Sequence, residues 1–233
     1  MEMLNFILAG TIEPGDFTGF TFFIGSVSML AATVWFLMQH GQVDKKFKDS
    51  MLVAALITGI AAVHYFYMRE QWTAGLGSPT ELRYIDWILT VPLMVVEFAL
   101  LTGVGMRKLF WASVVMLVTG YFGEAGIGPL DAQLWGLVSG IAYFAIVAEI
   151  WFGGASKLAK SAGGNVESAH KMLCKFVLIG WAIYPIGYMA GTDGWYSGIF
   201  SGLAGQMDVI YNVGDAINKI GFGLVVYNLA VSK

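Results

Sequence analysis

The sequence predicts an all-α membrane protein, built as one bundle of seven transmembrane helices. Of its 233 residues, 57% are hydrophobic and only 12% are charged, whereas soluble domains carry roughly 25% charged residues. The hydrophobic residues form seven long windows, each close to the roughly 20 residues that a helix needs to cross a bilayer. These windows lack the two-residue alternation of barrel strands, which leaves helices as the structure that satisfies the backbone in lipid.

The seven predicted spans follow one another with short connections. They are Phe17 to Gln39, Phe47 to Met68, Pro79 to Thr102, Leu109 to Gly126, Gln133 to Gly153, Ala169 to Ala190, and Gln206 to Val231. The connections are too short for another domain, so residues 1–233 are predicted to form a single one. The segment ahead of the first span, about residues 1–15, has no basic start or small-residue cleavage pattern. It is therefore interpreted as an outer tail rather than a cleaved signal peptide.

Basic residues predict the orientation. At one end of the bundle, basic residues lie in or next to the connections that follow the first, third and fifth spans, and at the end of the chain. They are Lys45, Lys46, Lys48, Arg107, Lys108, Lys157, Lys160, Lys171, Lys175 and Lys233. The connections at the other end hold only Arg69. By the positive-inside rule, the amino terminus lies outside and the carboxyl terminus is cytoplasmic. The chain has no basic stripe for nucleic acid, and its only cysteine, Cys174, excludes an intrachain disulfide or a cysteine metal cluster.

The third span carries an unusual set of polar side chains. Arg83, Asp86, Thr90 and Glu97 all lie within it. At 3.6 residues per turn, Asp86 and Glu97 differ by three turns and only about 20°, so both acids and Thr90 share one face of the helix. The two carboxylates are separated by roughly 16 Å along the axis. Two acids on one stripe favour a path for protons, although Asp86 neutralising Arg83 and Glu97 acting as a structural acid remain alternatives.

The last span places a lysine at hydrocarbon depth. Asp215 precedes Lys219 by one helical turn, and ionisable groups at this depth usually mark a site. A buried lysine forms a Schiff base with a carbonyl compound or pairs with a carboxylate. The spacing allows both, and an i,i+4 ion pair that only locks the helix is the simpler alternative.

A histidine and several aromatic residues are expected near the level of Asp86 and Lys219 in the bundle. His64, on the second span, is expected at the level of Asp86, where contact would influence when that carboxylate takes a proton. Its alternative role is packing. The aromatic residues are Trp87, Trp181, Tyr184 and Tyr211. They lie on three spans and are placed to bracket a flat apolar ligand on Lys219, although aromatics also dominate ordinary helix cores.

Three motifs together resemble the microbial (type 1) rhodopsins. They are Arg83-Tyr84-Ile85-Asp86-Trp87 with Leu89-Thr90-Val91-Pro92-Leu93, Trp181-Ala182-Ile183-Tyr184-Pro185, and Asp215 with Asn218-Lys219. Within that family the chain is most similar to the proteorhodopsin and xanthorhodopsin-type bacterial proton pumps. The resemblance extends over all seven spans.

The resemblance implies a light-driven outward proton pump of the bacterial plasma membrane, which is a transporter rather than an enzyme. It implies all-trans retinal bound to Lys219 as a Schiff base, with Asp86 as proton acceptor and Asp215 as second counter-ion. Glu97 would be the cytoplasmic proton donor, with His64 the partner of Asp86 and Arg83 on the outward release path. Rings of five or six copies are also typical of the family.

The same resemblance separates subtypes. A chloride pump of this family would lack a carboxylate at position 86, and a bacterial sodium pump would carry asparagine, aspartate and glutamine at positions 86, 90 and 97. This chain has Asp86, Thr90 and Glu97. A photosensor that signals through a membrane partner is the main alternative, and a seven-helix transporter or receptor without chromophore is another. Glu97 favours pumping.

Two further expectations concern pigments. Met94 aligns with the position where proteorhodopsins tune their colour, and a nonpolar residue there resembles the green absorbers. Gly136 aligns with a glycine of xanthorhodopsin-like pumps, where proteorhodopsins have a bulky aromatic. A missing side chain there would open a window from lipid to the retinal ring for a hydroxylated or keto carotenoid antenna. Close helix packing is the other explanation for this glycine.

Overall fold

A computed structural model describes residues 13–232, which fold into a helical bundle. The α-helices are α1 Phe17–His40, α2 Lys48–Thr73, α3 Thr80–Thr102, α4 Arg107–Glu124, α5 Ala132–Phe152, α6 Gly154–Ala162, α7 Gly164–Leu178, α8 Ile183–Gly191 and α9 Met207–Val231. Short 3-10 turns cover Lys45–Phe47, Gly180–Ala182 and Ser201–Gln206. Most of the predicted outer tail, residues 1–12, lies outside the described residues.

The seven predicted spans are confirmed as helices. Six helical stretches are long and apolar enough to cross a membrane: Phe17–His40, Lys45–Thr73, Thr80–Thr102, Ala132–Ala162, Gly164–Gly191 and Ser201–Val231. The remaining span is α4, which has 18 residues and three charged side chains at its ends, namely Arg107, Lys108 and Glu124. The protein is therefore a multi-pass membrane protein.

The helices pack in chain order and close into a bundle. α1 packs on α2, α2 on α3, α3 on α4 and α4 on α5, while α9 closes the bundle against α1, α2 and α7. Buried aromatic rings such as Phe36, Phe98 and Phe222 fill the centre. Large apolar side chains such as Phe144 and Ile217 point outward and are more than half exposed, as expected for a surface that faces lipid.

Aspartates fix the start of two helices. Asp16 accepts a hydrogen bond from the backbone N–H of Gly19 at 2.8 Å and begins α1, and Asp131 accepts one from Leu134 at 2.9 Å and begins α5. These side chains satisfy backbone donors that have no partner in the first turn of a helix. Both caps lie at the same end of the bundle and determine where each helix begins.

The predicted sixth span, Ala169 to Ala190, is not one continuous helix. α7 ends at Leu178, a 3-10 turn follows, and α8 begins at Ile183. Pro185 has no N–H to donate to the carbonyl of Trp181, four residues earlier, which explains why the regular helix is interrupted there. Side chains from neighbouring helices bond to the carbonyls around the break. Tyr143 donates to Val177 and Leu178 at 3.0 and 3.1 Å, and Asn218 donates to Gly180 at 3.0 Å.

Candidate functional site

Lys219 lies at the centre of the bundle between two carboxylates. Its side chain is 1% exposed, and those of Asp86 and Asp215 are fully buried. The ammonium nitrogen donates to Asp86 Oδ2 on α3 and, at 2.9 Å, to Asp215 Oδ2 on its own helix. The i,i+4 pair expected from the sequence is therefore present. Together with Asp86, this pair forms a three-residue centre that joins α3 and α9.

The two carboxylates have different surroundings. Asp215 accepts hydrogen bonds from Tyr65 at 2.9 Å, from Trp87 at 3.0 Å and from Tyr184, in addition to Lys219. Asp86 Oδ1, by contrast, has no hydrogen-bond partner among the described residues. Asp215 is thus held by four donors, whereas Asp86 has one oxygen available.

His64 and Thr90 lie beside Asp86 without binding its free oxygen. His64 Nδ1 is 4.0 Å from Asp86 Oδ1, and its hydrogen bond goes to the carbonyl of Ile60 at 2.8 Å. The depth predicted for His64 is confirmed by this distance. Thr90 donates to the backbone carbonyl of Asp86 at 2.8 Å, so it holds the helix next to the carboxylate rather than the carboxylate itself.

Arg83 points away from Asp86. Its Nη2 donates to Asp208 Oδ1 at 2.7 Å and its Nη1 to Asn212 Oδ1 at 3.2 Å. The guanidinium also lies over the ring of Tyr211, 4.9 Å from its centroid. Asp208 receives a second hydrogen bond, from Ser78 at 2.8 Å. The alternative in which Asp86 neutralises Arg83 is therefore wrong, because Arg83 pairs with Asp208 and the cation beside Asp86 is Lys219.

Glu97 lies on α3, three helical turns beyond Asp86. It is 1% exposed and lies beside the buried side chain of Ser50 on α2. The neighbouring Ser50 is compatible with the alternative in which Glu97 is a hydrogen-bonded structural acid.

A cavity of about 410 Å³ adjoins this centre. Five of the predicted ligand-binding residues line it, namely Trp87, Gly136, Trp181, Tyr184 and Pro185. Lys219, Met94 and Tyr211 are buried outside its lining. Two of the lining side chains, those of Trp87 and Tyr184, also donate to Asp215. Asp215 therefore links Lys219 to two side chains of the cavity wall.

Gly136 faces a tyrosine. A Cβ atom added to Gly136 would lie 2.5 Å from Cε1 of Tyr188, and the Tyr188 hydroxyl donates to the carbonyl of Ala132. One turn further along α5, a Cβ on Gly140 would meet no atom within 4 Å. The missing side chain of Gly136 thus makes room for Tyr188, and the open part of the wall is at Gly140.

The sequence reasoning missed three residues of this region. Tyr65 binds Asp215, Asp208 binds Arg83, and Tyr188 covers Gly136. Tyr65 directly follows His64 in the second span. Its hydroxyl group, at the depth of Asp86 and Asp215, is the feature from which a contact with these acids could have been predicted. Asp208, near the start of the last span, has no sequence feature that sets it apart from the other acids at that end of the bundle. Nothing in the sequence around Tyr188 distinguishes this residue from the other aromatic residues of the core.

The fold and this centre define a class: seven-helix membrane proteins with a buried lysine between two carboxylates, next to an aromatic cavity. A family profile described as "Bacteriorhodopsin-like protein" matches residues 16–233. The chain belongs to this bacteriorhodopsin-like family of microbial rhodopsins, which confirms the resemblance found in the sequence.

Individual relatives agree with this assignment. The chain is 39% identical to the green-light absorbing proteorhodopsin of Gamma-proteobacterium EBAC31A08, over 96% of this chain and 90% of the relative. It is 40% identical to the blue-light absorbing proteorhodopsin of Gamma-proteobacterium Hot 75m4, with the same coverage. The crystal structure of xanthorhodopsin, described as a light-driven ion pump with dual chromophore, superimposes with a TM-score of 0.79 at 28% identity. That match covers 91% of this chain and 92% of xanthorhodopsin.

Proposed function

We propose that this protein is a light-driven outward proton pump of a bacterial plasma membrane, with all-trans retinal held covalently by Lys219. The observation that carries the proposal is the placement of the Lys219 ammonium between Asp86 and Asp215, all three buried. The family and its light-driven relatives support the same reading.

The residues present fit retinal. A cavity of about 410 Å³ lined by aromatic side chains is within the range of small-molecule sites. Trp87 and Trp181 would hold the flat polyene, with Tyr184 and Pro185 on the same wall. Retinal, when bound, supplies the absorption of light and the change of shape that starts each turnover.

The direction of the first proton transfer follows from the difference between the two acids. Four donors stabilise Asp215 as an anion, so it serves as a fixed counter-ion. Among the described residues, Asp86 has one oxygen without a partner, and Lys219 is its only side-chain donor. The proton on Lys219 Nζ therefore passes to Asp86. Arg83, held by Asp208, lies on the path from there to the outer surface.

Resupply comes from the opposite side. Glu97 is three helical turns from Asp86, and its carboxyl group is buried beside Ser50. It would return a proton to Lys219 and take another from the cytoplasm. The basic residues on that end of the bundle support a cytoplasmic location. Moving one proton against 100 mV requires about 2.3 kcal/mol, so the two half-paths must not conduct together.

The colour is proposed to be green-absorbing, on the basis of nonpolar Met94. This side chain is 1% exposed in the core, and the chain is equally similar to green and blue relatives overall. The position of the visible absorption maximum decides the matter. A maximum in the blue would contradict the assignment of Met94.

A carotenoid antenna against α5 is a further part of the proposal. Its support is that the cavity lining extends to Leu137, Ile141 and Phe144, which are 58–64% exposed on the lipid side. The test is energy transfer from an added hydroxylated carotenoid, measured in the action spectrum. Gly140→Trp should abolish the transfer. Gly136→Trp would do so while displacing Tyr188, and transfer that survives both substitutions would contradict this location.

The pump itself is tested in cells that express the chain with retinal. The pH of an unbuffered suspension is recorded under green light, with and without a protonophore. Acidification that the protonophore abolishes is expected. A coloured protein without any pH change would favour the photosensor, and a colourless one would leave Lys219 in a structural ion pair.

A further inference from the structure

His170 is a buried histidine on α7, at the end of the bundle where Glu97 lies. It is 3% exposed, and its Nε2 is 2.8 Å from the backbone carbonyl of Ile150 on α5. A carbonyl only accepts, so the hydrogen of the neutral ring is on Nε2. Nδ1 is then a bare basic lone pair, and no described residue donates to it. A packing histidine would usually have both nitrogens satisfied.

The ring lies directly against the neighbour of Glu97. The ring of Phe98 meets that of His170 edge to face, with centroids 5.5 Å apart. Phe98 follows Glu97 in α3, so the imidazole and the carboxyl group lie at about the same level. No described residue donates to His170 Nδ1, and the Glu97 carboxyl group is buried beside Ser50. A buried nitrogen without a protein partner is normally satisfied by internal water, and water next to His170 would extend toward Glu97.

Other ionisable groups around His170 are already engaged or lie at the surface. On its own helix, Glu167 pairs with Lys171 at 2.6 Å, both partly exposed. Cys174 Sγ is 3.4 Å from Nε2 and 3.5 Å from the carbonyl of Ile150. On α5, Glu149 accepts from the backbone N–H of Gly154. None of these bonds involves Nδ1, which leaves this atom available to water.

We propose that His170 is a proton relay between the cytoplasm and Glu97. Nδ1 takes a proton from cytoplasmic water and forms an imidazolium, while the hydrogen on Nε2 stays on the Ile150 carbonyl. The proton then leaves Nδ1 through internal water and converts the Glu97 carboxylate to the acid, which restores the neutral ring. An imidazole suits this step because it binds and releases protons near neutral pH. The inference rests on the proposed pump.

The test compares His170→Gln with wild type. Glutamine keeps an N–H donor for the Ile150 carbonyl but cannot take up a proton. After a flash, the reprotonation of Glu97 is followed by time-resolved infrared absorption between roughly pH 5 and pH 8. We expect about tenfold slower reprotonation in His170→Gln, with proton transfer from Lys219 to Asp86 unchanged. Cys174→Ala, which removes the neighbouring thiol, should leave the reprotonation rate as in wild type.

A second comparison separates a relay from a structural effect. In a Glu97→Gln background, adding His170→Gln should slow the recovery no further, because the step that it serves is already missing. Additional slowing there, or an unchanged rate of Glu97 reprotonation in His170→Gln alone, would overturn the relay while leaving the pump intact. A wild type that is coloured but releases no protons would overturn the pump and the relay together.

Discussion

The contact between Arg83 and Asp208 predicts how the outer half of the path is held. The Arg83 side chain is 3% exposed and that of Asp208 is 18% exposed. The pair is therefore intermediate between surface ion pairs, worth about 0–1 kcal/mol, and buried ones, where removal of one partner costs about 3–5 kcal/mol. We expect Asp208→Ala to destabilise the protein by about 2–3 kcal/mol, or about 30- to 150-fold in the unfolding equilibrium. Asp208→Asn keeps an acceptor oxygen and should lose about 1 kcal/mol.

Two measurements check this prediction. The first is loss of visible absorption in increasing denaturing detergent, with Asp193→Ala, an exposed acid at the same end, as the matched control. The second is the time at which protons reach the medium after a flash, read with a pH-sensitive dye. A freed guanidinium would turn toward Asp86, so release should be delayed relative to transfer from Lys219. If Asp208→Ala were as stable as Asp193→Ala and released protons on time, Arg83 would not depend on Asp208.

Three further substitutions test the centre and the helix break. Lys219→Ala should leave the folded protein in the membrane but without colour after retinal addition, measured by absorbance against total protein. Asp86→Asn should shift the absorption maximum and abolish the light-driven pH change; a variant that still acidifies the medium would rule out Asp86 as the acceptor. Tyr143→Phe leaves two carbonyls of the break without their donor and should destabilise by about 1–3 kcal/mol. Tyr67→Phe, at a residue that is 56% exposed, should change stability by less than about 0.5 kcal/mol.

Most of the fold could be predicted from the sequence because lipid imposes one rule on every span. A continuous apolar window that is long enough must be a helix, and this placed the centres of all seven. The interruption of the sixth span could not be located from Pro185 alone, since a proline inside a membrane helix is often tolerated. The same residue type at Pro92 lies inside the continuous helix α3. At the break of the sixth span, Tyr143 and Asn218 donate from other helices to the carbonyls of Val177 and Gly180, and these contacts depend on the packing of the bundle.

The site was predictable where its residues are close in sequence and less so where they are not. Asp86, Thr90 and Glu97 on one face, and Lys219 one turn after Asp215, follow from helix geometry alone. The partner of Arg83 is 125 residues away, and several acids at that end of the chain were equally plausible. The donors that distinguish Asp215 from Asp86 come from three different helices. That asymmetry depends on how the helices are arranged, which one sequence does not specify.

The interruption of the sixth span also affects how the two halves of this span can change during evolution. The segment after the break carries Tyr184 and Pro185, which line the aromatic cavity, whereas α7 before it carries His170. Because the regular hydrogen-bond ladder does not continue through Trp181, a change in α7 need not be transmitted to the cavity wall. In the proposed pump, turnover speed and colour would therefore be inherited as separate traits. A chimaera that exchanges Gly164–Leu178 for the same stretch of a relative should run at a different speed with the same hue.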